Sequence, residues 1–220
     1  MSFTNYKEIA KSKNQLIKFI HVATGTVVEF PAFLKEYSDD YSVSWGSEQI
    51  FGRSDPIKPY QSTTRTINLG FDVLSHSLDN AVENLNNFST LTKMLYPVYS
   101  DPLSEVSSGP GAMGRTIKAP PLIRLKFVNL VQSATGTGEL LGCIEGIAMR
   151  PNLDAGLYVA ETGDLYPKVF DLDFRFTPQH ESPLGWDSST RSFITDSFPY
   201  AASSVAKQTK RATTVVGVLE

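Results

Sequence analysis

Cysteine occurs once in the 220 residues, as Cys143. A single thiol excludes an intramolecular disulfide framework and a zinc site of paired thiolates, and it fits a reducing compartment. Histidine is nearly as scarce. His21, His76 and His180 lie far apart, in none of the spacings that hold a metal. No apolar run approaches the roughly 20 residues that cross a bilayer. The opening MSFTNYKEIAKSKNQ is polar and charged, unlike a signal peptide. These features point to a protein made in a cytoplasm, with no membrane partner, that stays soluble or joins a soluble assembly. Strong charge of either sign is missing too: 20 Lys+Arg against 23 Asp+Glu leave a net charge of −3, which does not favour nucleic-acid binding. The one small basic cluster, KQTKR near the C-terminus, reads as a solvated tail.

The signatures of catalysis are also lacking. GPGAMG and TGTG are flexible loops, neither GxxxxGK[ST] nor a strand-to-helix GxGxxG, and there is no GxSxG elbow. Asp39-Asp40 and Asp171/Asp173 are carboxylate pairs of the kind a glycosidase uses across a cleft. Alternation alone, however, puts Asp171 and Asp173 on the wet face of one strand. Cys143 lies in an apolar strand as a small hydrophobe, with no histidine placed to activate it. No catalytic, cofactor-binding or metal residue is assigned, no cofactor is expected, and the chain is read as not an enzyme.

What is present is organised around Thr64 to Pro97. In TTRTINLGFDV, Ile67, Leu69, Phe71 and Val73 alternate with polar residues or glycine, the period of a half-buried strand. The period then changes. Leu78, Ala81, Val82, Leu85, Phe88, Leu91 and Leu95 recur three or four apart, one face of an amphipathic helix. Ser77 serves as N-cap, Asp79 and Lys93 match the helix dipole, and Pro97 ends the run. A strand with one wet face and a helix with one dry stripe require further sheet to cover them.

Upstream, residues 1–15 read as a polar N-terminal arm. QLIKFIHVAT and TVVEF read as two short strands turning near Thr24-Gly25-Thr26, and Pro31 marks an edge or bend. FLKEYSDDYSVSW is mixed, with strand alternation at Tyr41, Val43 and Trp45, and GSEQIFGRSDPIKPYQ reads as a loop. Downstream, residues 100–121 read as a long Gly/Pro/Ser loop. LIRLKFVNLV and ELLGCIEGIAM read as a hairpin of about ten residues per arm, long for a globular strand. A short strand is expected at LYVA. KVFDLDFRFTP is the cleanest strand, with Phe170, Leu172, Phe174 and Phe176 on one side. Residues 181–220 read as an extended C-terminal arm that orders against a neighbour, leaving a β domain at 16–180.

Two blocks carry a likeness. WGSEQIFGRSDPIKPYQSTTRTINLGFDV with LDNAVENLNNFSTLTKMLYPVY, supported by APPLIRLKFVNLV, GIAMRPNLDAGLYV and PKVFDLDFRFTPQHESPLGW, resembles baseplate and tail-tube-like proteins of contractile-tailed bacteriophages. The likeness spans roughly Trp45 to Trp186. It implies a mainly β, tail-tube-like fold: a two-sheet antiparallel β-sandwich or barrel, one flanking helix, and long loops and arms reaching adjacent subunits. It implies a virion structural protein, assembled in the host cytoplasm, that forms a homohexameric ring at the junction of baseplate hub and tail tube. DNA would only pass through the lumen, and the partners would be hub, wedge and tube proteins. The resemblance carries no catalytic residues. Strand faces bearing Asp72, Arg124, Lys126, Asp171, Asp173 and Arg175 would divide between lumen and outer surface. Other readings are a baseplate wedge or tail-completion protein, a baseplate-associated cell-wall hydrolase, and a small-ligand β-sandwich module.

Overall fold

Alternating apolar residues build most of the chain into one antiparallel sheet. The computed structural model describes residues 10, 15–31, 33–100, 116–135, 138–195 and 197–200. The strands are β1 (Leu16–His21), β2 (Val27–Pro31), β3 (Phe33–Trp45), β4 (Tyr60–Leu74), β5 (Val98–Tyr99), β6 (Ile117–Ala119), β7 (Ile123–Phe127), β8 (Leu140–Pro151), β9 (Leu157–Val159), β10 (Leu165–Pro167) and β11 (Val169–Pro178). Among the described residues the one long helix is α1 (Leu78–Lys93). Seven strands form the main sheet in the order β2-β1-β7-β8-β11-β4-β3, and β5–β6 and β9–β10 are two-stranded ribbons. The fold is therefore mainly β with one flanking helix, as the alternation predicted.

The sheet cannot be flat. With strands about 4.8 Å apart, the five steps from β2 to β4 would put Phe30 and Phe71 roughly 24 Å apart. Their ring centroids are 6.1 Å apart. Phe19 on β1 and Phe174 on β11 meet edge to face at 5.3 Å. One limb of the sheet thus lies over the other, with a single core of Phe19, Phe30, Phe71, Phe174 and Phe176 between them. The fold occurs at β8, whose Leu140–Gly142 pair with β7 while Gly142–Pro151 pair with β11. Gly142 suits the bend because a Cβ there would lie 2.4 Å from the Thr177 carbonyl oxygen. Only residue 32 separates β2 from β3, the opposite ends of the strand order. A link that short spans about 7 Å, so the two ends of the roll come together there. Two packed layers thus arise from one continuous sheet.

Several expectations are corrected in detail. The hairpin of about ten residues per arm is really five residues of β7 against β8, with three paired positions; Val128 already has φ +47 and turns the chain away. The mixed stretch FLKEYSDDYSVSW is strand throughout, because β4 supplies a partner along its whole length. Part of the expected 100–121 loop is strand: Ile117–Ala119 pair with Val98–Tyr99. The strand expected at LYVA is β9, and its partner β10 gave no alternation to read. Residues 101–115 lie outside the described residues, as does the expected N-terminal arm apart from Ala10 and Gln15.

The helix begins as its sequence predicts: the Asn80 amide donates to Ser77 Oγ at 3.2 Å. Its buried side differs from the apolar stripe, since Asn80 and Asn84 are buried beside Ala81 and Leu91 while Val82 and Leu85 are half-exposed. Asn84 Nδ2 donates to the Leu74 carbonyl and to Ser75 Oγ, tying the helix to the end of β4. That polar anchor rotates the helix away from the orientation hydrophobicity alone would choose.

Candidate assembly surface

The β3–β4 hairpin outruns the body. From Tyr41 to Trp45 and from Tyr60 to Thr64 every residue is exposed, so this part is a two-stranded ribbon whose contact with the body includes Tyr41 against Phe198. Backbone pairing continues past the strands, from Gly46 N to Pro59 O at 2.9 Å and between Glu48 and Ile57. Trp45 stacks edge to face on Tyr60 at 5.6 Å. Beyond them Ile50, Ile57 and the fully exposed Phe51 stand in solvent, and Gly52, at φ +87, turns the tip. An isolated ribbon is marginal in water, and large apolar side chains clustered at its end mark a contact surface. Among the described residues neither β2 nor β3 has a strand on its outer side, which leaves two open hydrogen-bonding edges.

At the ribbon's base the alternation carries charge into the interior. Arg65 is in phase with Ile67 and Leu69, and Asp39 lies opposite Ile67. Both side chains are 3% exposed. Arg65 Nε and Nη2 donate to the two Asp39 oxygens at 2.8 and 2.7 Å, a bidentate pair. The hydroxyls of Tyr41 and Tyr200 also donate to Asp39, and the guanidinium lies 5.5 Å from the ring centres of both Tyr41 and Phe198. Burial pushes the Asp39 carboxyl up, but the bonds from Arg65 and Tyr200 outweigh it and hold the group below the usual carboxylate range.

The cover comes from the segment expected to leave the body. Residues 181–195 and 197–200 fold back on their own chain: Glu181 takes a bidentate bond from Arg124, Ser197 Oγ donates to the Ala134 carbonyl, and Tyr200 reaches Asp39. A turn inside this segment is held by Asp187, which accepts from the side chains and amides of Ser189 and Thr190 and whose carboxyl is pulled down to about 2 by them. Residues 201–220 lie outside the described residues.

The charged strand residues separate into two groups. Asp72, Asp171, Asp173 and Arg175 share the outer face of β4 and β11, with Asp171 directly opposite Asp72. Lys35 bridges that carboxylate pair at 3.1 and 3.0 Å, Arg150 pairs with Asp173, and Arg175 with Glu145 at 3.3 Å. Burial and the bond with Asp171 raise the Asp72 carboxyl, whereas its bonds with Asp72 and Lys35 lower that of Asp171. Arg124 and Lys126 stand on the other limb, bound to Glu181 and to the Gly138 carbonyl. Of the histidines, His21 is buried beside Thr24, His76 is exposed before α1, and His180 lies under Phe198. Cys143 is half-buried, less than a core hydrophobe would be. Among the described residues no three His, Cys, Asp or Glu side chains gather as a metal site, and no helix is long and apolar enough to cross a membrane.

No protein-family model and no curated protein matches the chain. Among solved structures it is similar to the SPP1 Dit (gp 19.1) protein, described as a paradigm of the hub adsorption apparatus in phages infecting Gram-positive bacteria. There the identity is 10% and the TM-score 0.38, over 74% of this chain and 49% of that one. It is also similar to a chain of the tail of an empty GTA particle refined with C6 symmetry, at 9% identity and a TM-score of 0.31, over 80% of this chain and 97% of that one. This chain thus spans about half the length of the Dit protein. Likenesses this loose fix neither partner nor role, which must come from the faces of this chain itself.

Proposed function

We propose that the chain is a non-enzymatic structural component of a contractile phage tail, forming a six-membered ring around the DNA channel where the baseplate hub meets the tail tube, as initiator or adaptor. The observation that carries this reading is the open architecture of the sheet. Among the described residues both edge strands lack outer partners, and a ribbon with an aromatic tip projects beyond the body. Unpaired edges are templates for pairing. A contact between one copy's edge and a different edge of the next is heterologous, and such contacts close into rings when the rotation allows. The face bearing Asp72, Asp171, Asp173 and Glu145 against Lys35, Arg150 and Arg175 is assigned to the lumen, where a slight excess of carboxylates keeps DNA from adhering.

The test is the mass of the purified protein in solution together with negative-stain imaging, repeated in the presence of purified hub and tube proteins. Rings or stacked tubes with an axial channel are the expected result. A chain that remains a compact monomer under both conditions would overturn the reading, and clearing of peptidoglycan by that monomer would replace it with the hydrolase.

A further inference from the structure

Between the ribbon base and the returning C-terminal segment lies a cavity of about 450 Å³, lined among others by Tyr41, Arg65, His180, Leu184, Phe193 and Phe198. Its size falls in the range of ligand sites. Its walls mix rings and aliphatic side chains with Thr63, Thr64 and Thr177, and just behind its surface lie polar atoms without partners. Arg65, 95% buried, uses Nε and Nη2 on Asp39, and among the described residues its Nη1 has no hydrogen-bond partner; the same holds for His180 Nδ1 and, in the covering turn, Thr195 Oγ1. Unpaired buried polar atoms are costly and uncommon.

We propose that this cavity is a binding site for an extended peptide segment of another protein, which places one bulky apolar side chain among the rings and its peptide groups against Arg65 and His180. The ligand should be neutral at the point of contact. The Arg65 charge is already cancelled by Asp39, so a further carboxylate would have no cation to pair with. Burial, and after it the Arg65 charge, lower the affinity of His180 for a proton, so that ring adds no positive charge at neutral pH. An extended segment offers what each atom lacks: a peptide carbonyl accepts from Nη1, and a peptide N–H donates to Nδ1 when the imidazole proton is on the other nitrogen. Neither nitrogen touches solvent. The segment therefore enters as the Phe198 side yields, a wall held by the bonds from Ser197 to Ala134 and from Tyr200 to Asp39. This site does not depend on the chain being a ring component.

Titration calorimetry on the full chain reads ring and monomer alike. The probe is the capped tripeptide Ac-Gly-Phe-Gly-NH2, with Ac-Gly-Gly-Gly-NH2 and 3-phenylpropionate as controls. Saturable binding of the phenylalanine peptide is expected, at least about fivefold tighter than either control, the loss expected for one hydrogen bond or one buried ring. Leu184→Trp fills the cavity without touching the ion pair and should abolish binding. His180→Phe keeps a ring but removes Nδ1 and should weaken it about fivefold. No saturable heat with the wild type means a hydrated cavity only and overturns the proposal. Phenylpropionate binding as tightly as the peptide, or folded variants of Leu184 and His180 that both bind as the wild type does, would overturn it equally.

Discussion

Replacing Arg65 with methionine isolates the ion pair at the ribbon base. Methionine keeps the length and most of the volume of the side chain but leaves Asp39, with a side chain 3% exposed, without its cation. Breaking a buried pair from one side costs about 3–5 kcal/mol. The hydroxyls of Tyr41 and Tyr200 still donate to the carboxylate, so the lower end, about 3 kcal/mol, is expected. For a chain of this size that corresponds to a fall in Tm of roughly 6–12 °C. The sign of the pH dependence is the sharper test. In the wild type Asp39 is held below its unfolded value, so its contribution is present above about pH 4 and is lost as pH falls through the folded value. Without Arg65, desolvation dominates and raises the folded value above the unfolded one. The variant should therefore regain part of its loss as the solution is acidified from pH 7 toward pH 4. Urea unfolding of both proteins across that range, compared by difference so that His180 largely cancels, measures it. A deficit below about 1 kcal/mol, the level of an exposed pair, or one that does not shrink on acidification, would refute the reasoning.

Burial lowers the His180 proton affinity, so the wild type should lose stability as pH falls through the unfolded value near 6.5; His180→Phe should flatten that slope in thermal scans at pH 7.5 and 5.5. Gly142→Ala places a Cβ 2.4 Å from the Thr177 oxygen and 2.6 Å from the Phe176 ring and should cost about 1–3 kcal/mol in urea unfolding. Gly146→Ala, in open space, should be neutral or stabilise by up to about 1 kcal/mol. Trp45→Ser with Phe51→Ser removes exposed rings that the core does not use. The monomer's Tm should move by no more than about 2 °C, the scale of a surface change, while rings disappear from negative-stain fields.

Local periodicity made the strands and the helix legible, because each has one face buried against the shared core. Ile67 to Val73 and Phe170 to Phe176 alternate on sequence and are buried on the side that alternation selects. The extent of β3 was less legible. Its alternation is confined to Tyr41, Val43 and Trp45 and most of it is exposed; it is strand throughout because β4 pairs with it from Phe33 to Trp45. The bend of the sheet was hidden for a similar reason. Gly142 reads as any strand glycine until Phe176 and Thr177 are brought against it from 34 and 35 residues away. The Arg65–Asp39 pair did leave a signal. Counting back from Ile67 by twos reaches Arg65, a charge in phase with the core, but only the pairing of β3 with β4 and the return of Tyr200 name its partners.

That pair also determines how much of the hairpin can move. A buried ion pair is a poor source of net stability, since desolvation consumes most of the attraction. What this one supplies is geometry. The fork of Arg65 meets both oxygens of Asp39 across the two strands, and Phe198 and Tyr200 close over it from the returning segment. Below this point the ribbon is clamped on its inner side; above it, from Ser42 to Trp45 and Tyr60 to Thr64, main-chain pairing is joined by the Trp45–Tyr60 contact and by the exposed bonds from Ser44 to Gln61 and from Thr64 to the Ser42 carbonyl. The hairpin thus has a clamped base and an exposed end, and a hinge is expected at Asp39 and Arg65, next to the cavity that Tyr41, Tyr60, Thr63 and Thr64 line. A segment bound in that cavity would have to shift Phe198 and so loosen the clamp, coupling occupancy of the pocket to the freedom of the aromatic tip. Hydrogen exchange at the amides of Val43 and Gln61 would register that coupling: it should quicken when Ac-Gly-Phe-Gly-NH2 saturates the wild type and stay unchanged in Leu184→Trp. Slower exchange on binding would mean that the peptide tightens the clamp, and the hinge would then lie elsewhere.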